Sequence, residues 1–388
     1  MNGSWWVGEN DLKEEQKRAV DSIPIDESYL IVGSPGSGKT NVLLLRSKYL
    51  RSRKVNRIRF VTFTSTLRDF VKHGGAQYKI NPEEVVTAAH LFQELLTDNG
   101  EMIQKIEGEK YILTRNRLAE ATVSLLNKQP ELEKSFDVLL IDEIQDYTVV
   151  EIQAMRRLSA VIIGAGDDNQ RIYKEDGALA EFEGLVARKI ELPRHFRNGK
   201  KICLVADAIF AGKSDRPNTY ALANYDESSR PSSVKREICI DFSEQVEKII
   251  EEIQVQLRAY PGELIGVLFP TNDEVNEFCL KARSTAEIAK VLYRVKDEEG
   301  VWSGETRIIA STIHSAKGLE FRAVHTGGCE SLSRSGRENQ KRLAFTATTR
   351  AKTSLCFYWT GSVPPYLTDA IQQADDEVKD GTFGSLFS

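Results

Sequence analysis

No apolar run in this 388-residue sequence is long enough to cross a bilayer; the longest are strand-sized pieces. The first residues, MNGSWWVGEND, lack the basic start and apolar stretch of a secretion leader. Cysteine is scarce. The five (Cys203, Cys239, Cys279, Cys329, Cys356) lie far apart and form no CxxC pair. That argues against a disulfide framework or a metal site and for reduced, packed thiols. From these absences we expect a cytoplasmic protein with no membrane partner. Positive charge is not in excess either: 52 Lys and Arg against 57 Asp and Glu give a net charge of -5. No basic surface therefore advertises a nucleic-acid binder, although a groove can be locally basic on an acidic protein.

What is present reads as ordinary soluble α/β protein, with 41% hydrophobic and 28% charged residues and a length that suits two domains. In the first half, SYLIVG, RIRFVTF, FDVLLID and AVIIGAG are strand-like, and each runs into a polar or glycine-containing turn. The segment from about Leu91 to Lys134 has a charged, helical texture and reads as a small insertion. A second series follows: REICIDF, an amphipathic helix near Glu244–Arg258, then LIGVLFPT, TRIIAST, FRAVHTGG and SLCFYWTG. Between the two series, NYDESSRPSS has the composition of a surface loop. Strands alternating with helices imply parallel sheets. We expect domains at 1–195 and 196–365 and a C-terminal tail, 366–388, whose acidic end from about Gln372 is loose.

The octapeptide GSPGSGKT, Gly33 to Thr40, follows a strand and opens a helix. Glycines at Gly33, Gly36 and Gly38, with Ser37 between the last two, let backbone N–H groups approach phosphates. Lys39 can then reach the β/γ-phosphates of ATP and Thr40 can ligate Mg²⁺. A bland glycine-rich turn is the competing reading, and the strand before and helix after weigh against it. Further on, VLLIDEIQDY places Asp142 and Glu143 at a strand end. Asp142 suits the second Mg²⁺ ligand and Glu143 the base that orients and deprotonates the attacking water. Gln145 and Asp146 have no place in hydrolysis alone.

With the DEIQD signature in view, the sequence resembles the UvrD/Rep-type superfamily 1 DNA helicases. The resemblance implies two RecA-like P-loop NTPase domains with parallel sheets, a nucleotide site in the cleft between them, and a single-stranded DNA track across both. It also implies that Gln145 and Asp146 connect the hydrolytic carboxylates to neighbouring motifs. Other stretches match in the family's order. LKEEQKRAV is similar to the adenine-reading motif, through Gln16. FVTFTSTLRDF and TAAHLF are similar to DNA-contacting motifs, through Phe63, Thr64 and His90. GAGDDNQRIY implies Gln170 near the γ-phosphate and Tyr173 toward DNA. LPRHFRN implies Phe196 on the adenine and Arg197 at the γ-phosphate. STIHSAKGLEF implies Gly318 and Glu320 at the nucleotide, and Thr312 and His314 toward DNA. RLAFTATTRA offers Arg350 as a second arginine.

Two departures qualify the resemblance. The stretches from His90 to Asp142 and from Arg197 to Thr312 are too short for the large accessory subdomains of the family's bigger members, so this is a compact form. Where the family commonly has Tyr-x-Trp-Arg-Gly-Ala, this sequence reads YKEDGA, with Glu175 and Asp176 in place of Trp and Arg. That loosens the expected grip on DNA, and Trp5 and Trp6 are candidates to compensate. Two readings follow. One is an ATP-dependent single-stranded DNA translocase or 3′-to-5′ helicase, entering duplex from a single-stranded tail. The other is a nucleic-acid-responsive ATPase switch that signals to a protein partner such as a nuclease, by analogy with compact antiviral-defence relatives.

Overall fold

The computed structural model describes residues 8–104, 106–167, 177–193, 198–210, 219–295, 303–334 and 337–384. The chain forms two compact units, the first made of Trp6–Gly33 and Gly38–Leu192 and the second running from Pro193 onward, with the loop residues Ser34–Ser37 grouped with the second.

The first unit runs α1 (Glu14–Lys17), β1 (Tyr29–Gly33), α2 (Lys39–Ser52), β2 (Ile58–Thr62), α3 (Ser65–Gly74), β3 (Val85–Thr87), α4 (Ala88–Asp98), α5 (Tyr111–Lys128), β4 (Phe136–Ile141), α6 (Val149–Leu158), β5 (Ser159–Gly166), α7 (Ala178–Gly184) and β6 (Arg188–Leu192). Its strands form one sheet in the order β3-β2-β4-β5-β1-β6, with every pair parallel. Strand residues point alternately to opposite faces. Tyr29, Ile31, Phe60 and Leu140 join α2 and α3 in one core, while Leu30, Val61, Leu139 and Ile141 join α4 to α7 in the other. Both faces being covered, the central strands read as unbroken apolar runs. The segment read as an insertion supplies α4 and α5, whose Phe92, Leu96, Leu118 and Leu126 are core residues. It is the crossover from edge strand β3 to β4.

The second unit contains α8 (Lys200–Ile209), α9 (Thr219–Leu222), β7 (Ser233–Cys239), α10 (Phe242–Ala259), β8 (Ile265–Phe269), α11 (Asn272–Ala282), α12 (Ala286–Ala289), β9 (Leu292–Arg294), β10 (Ile308–Thr312), β11 (Phe321–Thr326), α13 (Arg337–Arg350), β12 (Ala351–Thr360) and α14 (Pro365–Gly384). Its sheet is again six-stranded and parallel, ordered β7-β12-β11-β8-β10-β9. The segment expected as a tail is the helix α14, which packs on α8. Leu367, Ala370, Ile371 and Ala374 are buried at helical spacing, an apolar stripe hidden among acidic residues. In the surface loop, Asp226 accepts from the N–H groups of Ser228 and Ser229, a turn its composition foretells. All five cysteines are buried and none is in a disulfide. Among the described residues no helix is long and apolar enough to cross a membrane.

His325, at the centre of the second sheet, is fully buried, with Tyr358 Oη and Gln256 Oε1 each 2.9 Å from its ring nitrogens. Burial, with a smaller push from Lys235, lowers its pKa to about 3. The folded pKa lies below the ordinary value of 6.5. Below about pH 6.5 the unfolded chain therefore binds a proton that the folded chain refuses, and stability falls as pH falls. We expect this residue to contribute a slope of up to about 1.4 kcal/mol per pH unit between roughly pH 6.5 and 5. Urea unfolding at closely spaced pH values measures it. A His325→Gln protein with the same slope would refute the assignment.

Candidate nucleotide site and nucleic-acid face

The C-terminal edge of the first sheet gathers the chemistry. The ends of β1, β4 and β5 carry the phosphate-type loop, the acid pair and Asp167, on adjacent strands. In open parallel sheets this edge is where ligands bind. The loop turns through Gly36 and Gly38, at φ of 82° and 86°, and α2 begins at Lys39. Gly38 is required on two counts. Its φ is left-handed, and a Cβ there would lie 2.7 Å from Nε2 of Gln16. Gln16 is itself buried, and its Oε1 accepts the N–H of Lys13 at 2.9 Å. The adenine-reading candidate thus also stiffens the turn that opens α1. Arg46 of α2 is fully buried and donates to the carbonyls of Val20, Ile23 and Pro24, fastening the segment after Gln16 to the loop's helix.

Lys39 folds back so that Nζ donates to Gly33 O at 2.7 Å. The Thr40 hydroxyl donates to Asp142 Oδ2 at 2.7 Å, although 102 residues separate them. A hydroxyl and a carboxylate converging beside a helix N-terminus are hard oxygen donors, a pair that fits Mg²⁺. Asp142 is almost wholly buried, and its pKa is raised, first by burial and then by the charge of Glu143. The Thr40 hydroxyl, the Lys39 ammonium and the Glu143 N–H pull the other way. This is a carboxylate short of positive charge, which a divalent cation would supply.

Glu143 sits at φ 56° and ψ 48°, left-handed backbone that a glutamate adopts at a cost. The reversal leads the chain into the short turn Ile144–Asp146. Gln145 then does two things. Its Nε2 donates to Glu143 Oε2 at 2.6 Å, and its Oε1 accepts the Asp167 N–H at 2.9 Å. One amide therefore fixes the carboxylate and ties it to the end of β5. The Asp146 carbonyl accepts from Arg115.

The nucleic-acid candidates lie on the neighbouring strand ends, β2 and β3. Phe63 is half-buried, edge-on to Tyr147 with ring centroids 5.4 Å apart. Thr64 caps α3, its hydroxyl accepting from Leu67 N, and His90 is exposed in the first turn of α4. In the second unit, Thr312 ends β10, and His314, Gly318 and Glu320 occupy the connection from β10 to β11. Thr312 caps its turn by accepting from Ser315 N, Gly318 has φ 83°, and Glu320 pairs with Lys352 at 3.4 Å. Arg350 is buried, donating to the carbonyls of Leu319 and Thr346 and to Thr349 Oγ1. Gln170, Tyr173, Glu175, Asp176, Phe196, Arg197, Trp5 and Trp6 lie outside the described residues.

Sequence reasoning missed Arg46 and Arg115. Nothing in the sequence separates Arg115, buried on α5, from Arg117 two positions on, which pairs with Glu109 near the surface.

Comparison with known proteins bears on the same motifs. The family profile described as "AAA domain" matches residues 16–176, and that described as "UvrD-like helicase C-terminal domain" matches residues 307–358. A protein of Mycoplasma pneumoniae described as "Probable DNA helicase" is 25% identical over 277 residues, covering 63% of this chain and 49% of its own. The "ATP-dependent DNA helicase srs2" of Schizosaccharomyces pombe is 30% identical over 138 residues, covering 31% of this chain and 15% of its own. The chain thus spans at most about half the length of these relatives. Among solved structures, PRRSV helicase aligns over 88% of this chain and 54% of its own at 16% identity, with a TM-score of 0.41.

The loop geometry yields a direct test. Gly38→Ala should destabilise the chain by about 1–2 kcal/mol, the cost of left-handed backbone with a Cβ. It should also displace Gln16. Urea unfolding reads the first effect, and titration with a fluorescent ATP analogue the second. Unchanged stability would mean that Gly38 is not held left-handed.

Proposed function

We propose that the chain is a UvrD-like superfamily 1 helicase, a reading its two profile matches and helicase relatives support, and that it hydrolyses ATP with Mg²⁺ and uses the reaction to move 3′ to 5′ along single-stranded DNA, entering duplex from a single-stranded tail. The observation that carries this reading is the convergence of Thr40, Asp142 and Lys39 around the loop, with Glu143 held from behind by Gln145. Lys39 exchanges its Gly33 carbonyl for the β/γ-phosphates, a stronger charge-assisted pairing. Thr40 and Asp142 would hold Mg²⁺, which when bound neutralises charge on the phosphate oxygens. Glu143 orients a water and takes its proton, and the amide of Gln145 keeps the carboxylate in that pose. Gln16, beside Gly38 of the loop, is the group that would read an adenine. Arg350 can serve a γ-phosphate only by giving up its present acceptors, Leu319 O among them.

Phe63, Thr64 and His90 follow the nucleotide residues along the same sheet edge, which supports a nucleic-acid track beside the hydrolytic site. A second reading has a specific observation in its favour. Among the described residues the α-helices between His90 and β4 are α4 and α5, and both are spent on the domain's own core. A motor this compact suits a nucleic-acid-responsive switch that reports to a partner such as a nuclease. Steady-state ATPase without nucleic acid and with single-stranded DNA, tailed duplex or RNA, run beside a strand-displacement assay, separates the two. Stimulation with displacement supports the motor, and stimulation without displacement the switch.

Glu143→Gln should bind ATP normally and lose at least about 100-fold in kcat, since Gln keeps the shape but accepts no proton. Lys39→Ala should weaken ATP binding as well as turnover. Wild-type turnover in the Glu143→Gln protein would remove Glu143 from its role.

Gln145→Leu should lower kcat by roughly tenfold to 100-fold with little change in ATP affinity, because the bond to the charged Glu143 carboxylate is lost together with that from the Asp167 N–H. Equal losses in kcat and affinity would mean that Gln145 shapes the whole pocket rather than one carboxylate.

A further inference from the structure

Arg115 lies where two sets of residues meet. From α5 it reaches into the first unit's core, where Nε donates to Glu151 Oε1 at 2.9 Å and Nη2 pairs with Glu151 Oε2. The same Nη2 donates to the carbonyl of Asp146 at 3.1 Å. The guanidinium carbon lies over the Phe63 ring, 4.6 Å from its centre. One planar group thus touches the aromatic side chain at the end of β2 and the turn that follows the acid pair. That turn carries Gln145, and Gln145 holds Glu143.

We propose that Arg115 is a positioning residue that couples nucleic-acid occupancy at Phe63 to the pose of the Glu143 carboxylate. The inference rests on reading Phe63 as a nucleic-acid contact. A nucleobase that displaces the Phe63 ring changes the surface against which the guanidinium is stacked. The guanidinium is fixed on its other edges by Glu151, which also accepts the N–H of Thr148 as part of the cap of α6. It also lies over the rings of Tyr111 and Tyr147, and a shift on the Phe63 side is passed to its bond with the Asp146 carbonyl, and so to the tilt of the Ile144–Asp146 turn. An interior packed at solid density passes such a shift along instead of absorbing it. Lysine is no substitute: it keeps the charge against Glu151 but lacks the planar fork that serves Glu151 and Asp146 together while stacking on a ring.

The test uses the full chain and measures ATP turnover without nucleic acid and with saturating single-stranded oligothymidylate, together with oligonucleotide affinity. Arg115→Lys should leave basal turnover and oligonucleotide affinity within about twofold of wild type. It should lower the ratio of stimulated to basal turnover at least about fivefold, the lower end of ordinary coupling strengths. The double variant Arg115→Met with Glu151→Gln removes both buried charges while keeping a capping side chain for α6, so that no orphaned carboxylate impairs folding. It should give the same result. A proportional fall in basal and stimulated turnover, or an unchanged ratio in a stimulated wild-type background, overturns the proposal alone. A wild-type chain that ignores the oligonucleotide overturns the functional reading and this proposal with it.

Discussion

Two neighbouring carboxylates, Asp142 and Glu143, are withdrawn from water in the same turn. Burying one ionised group without partners is prohibitive, and burying two side by side adds their mutual repulsion. The rest of the first unit is arranged around that difficulty. The Thr40 hydroxyl meets Asp142, the Lys39 ammonium lies near enough to lower its pKa, and the Gln145 amide meets Glu143. The partners come from two places in the chain, each held by its own anchor: Lys39 and Thr40 by the glycine turn, Gln145 by the Asp167 N–H. The acid pair is tolerated only because β1, β4 and β5 are neighbours in the sheet.

The same architecture appears twice, and in both sheets a glycine on an inner strand admits a phenylalanine ring. A Cβ at Gly164 would lie 2.5 Å from Phe182, and one at Gly266 would lie 2.5 Å from Phe321. Chemistry divides the two units. The first collects a lysine, a hydroxyl and carboxylates at its strand ends. The second uses its polar groups largely to hold its own loops: Gln245 receives Gly328 N and donates to Glu330 and Thr360, and Arg350 secures Leu319.

Much of this was legible in the sequence because the inner strands, sandwiched between helices, had to be continuous apolar runs. The strands not foreseen are β3, β6 and β9, all at sheet edges. An edge strand has one neighbour; VVT, though buried, is too short, and the largely exposed RKIEL too polar, to announce itself. The loop and acid pair were legible because phosphate and metal chemistry leave few choices of residue. Arg115 was not, because its meaning lies in what α5 faces and not in its own segment. The helix α14 was hidden by its acidic exposed side, although its four buried apolar residues fall at helical spacing.

The left-handed backbone of Glu143 carries a consequence for how this chain can change over generations. Glycine would relax the strain there and stabilise the fold, by something on the order of 1 kcal/mol. Selection for robustness alone would therefore erase the carboxylate. A glutamate held in so costly a conformation gives up folding stability for what the turn does.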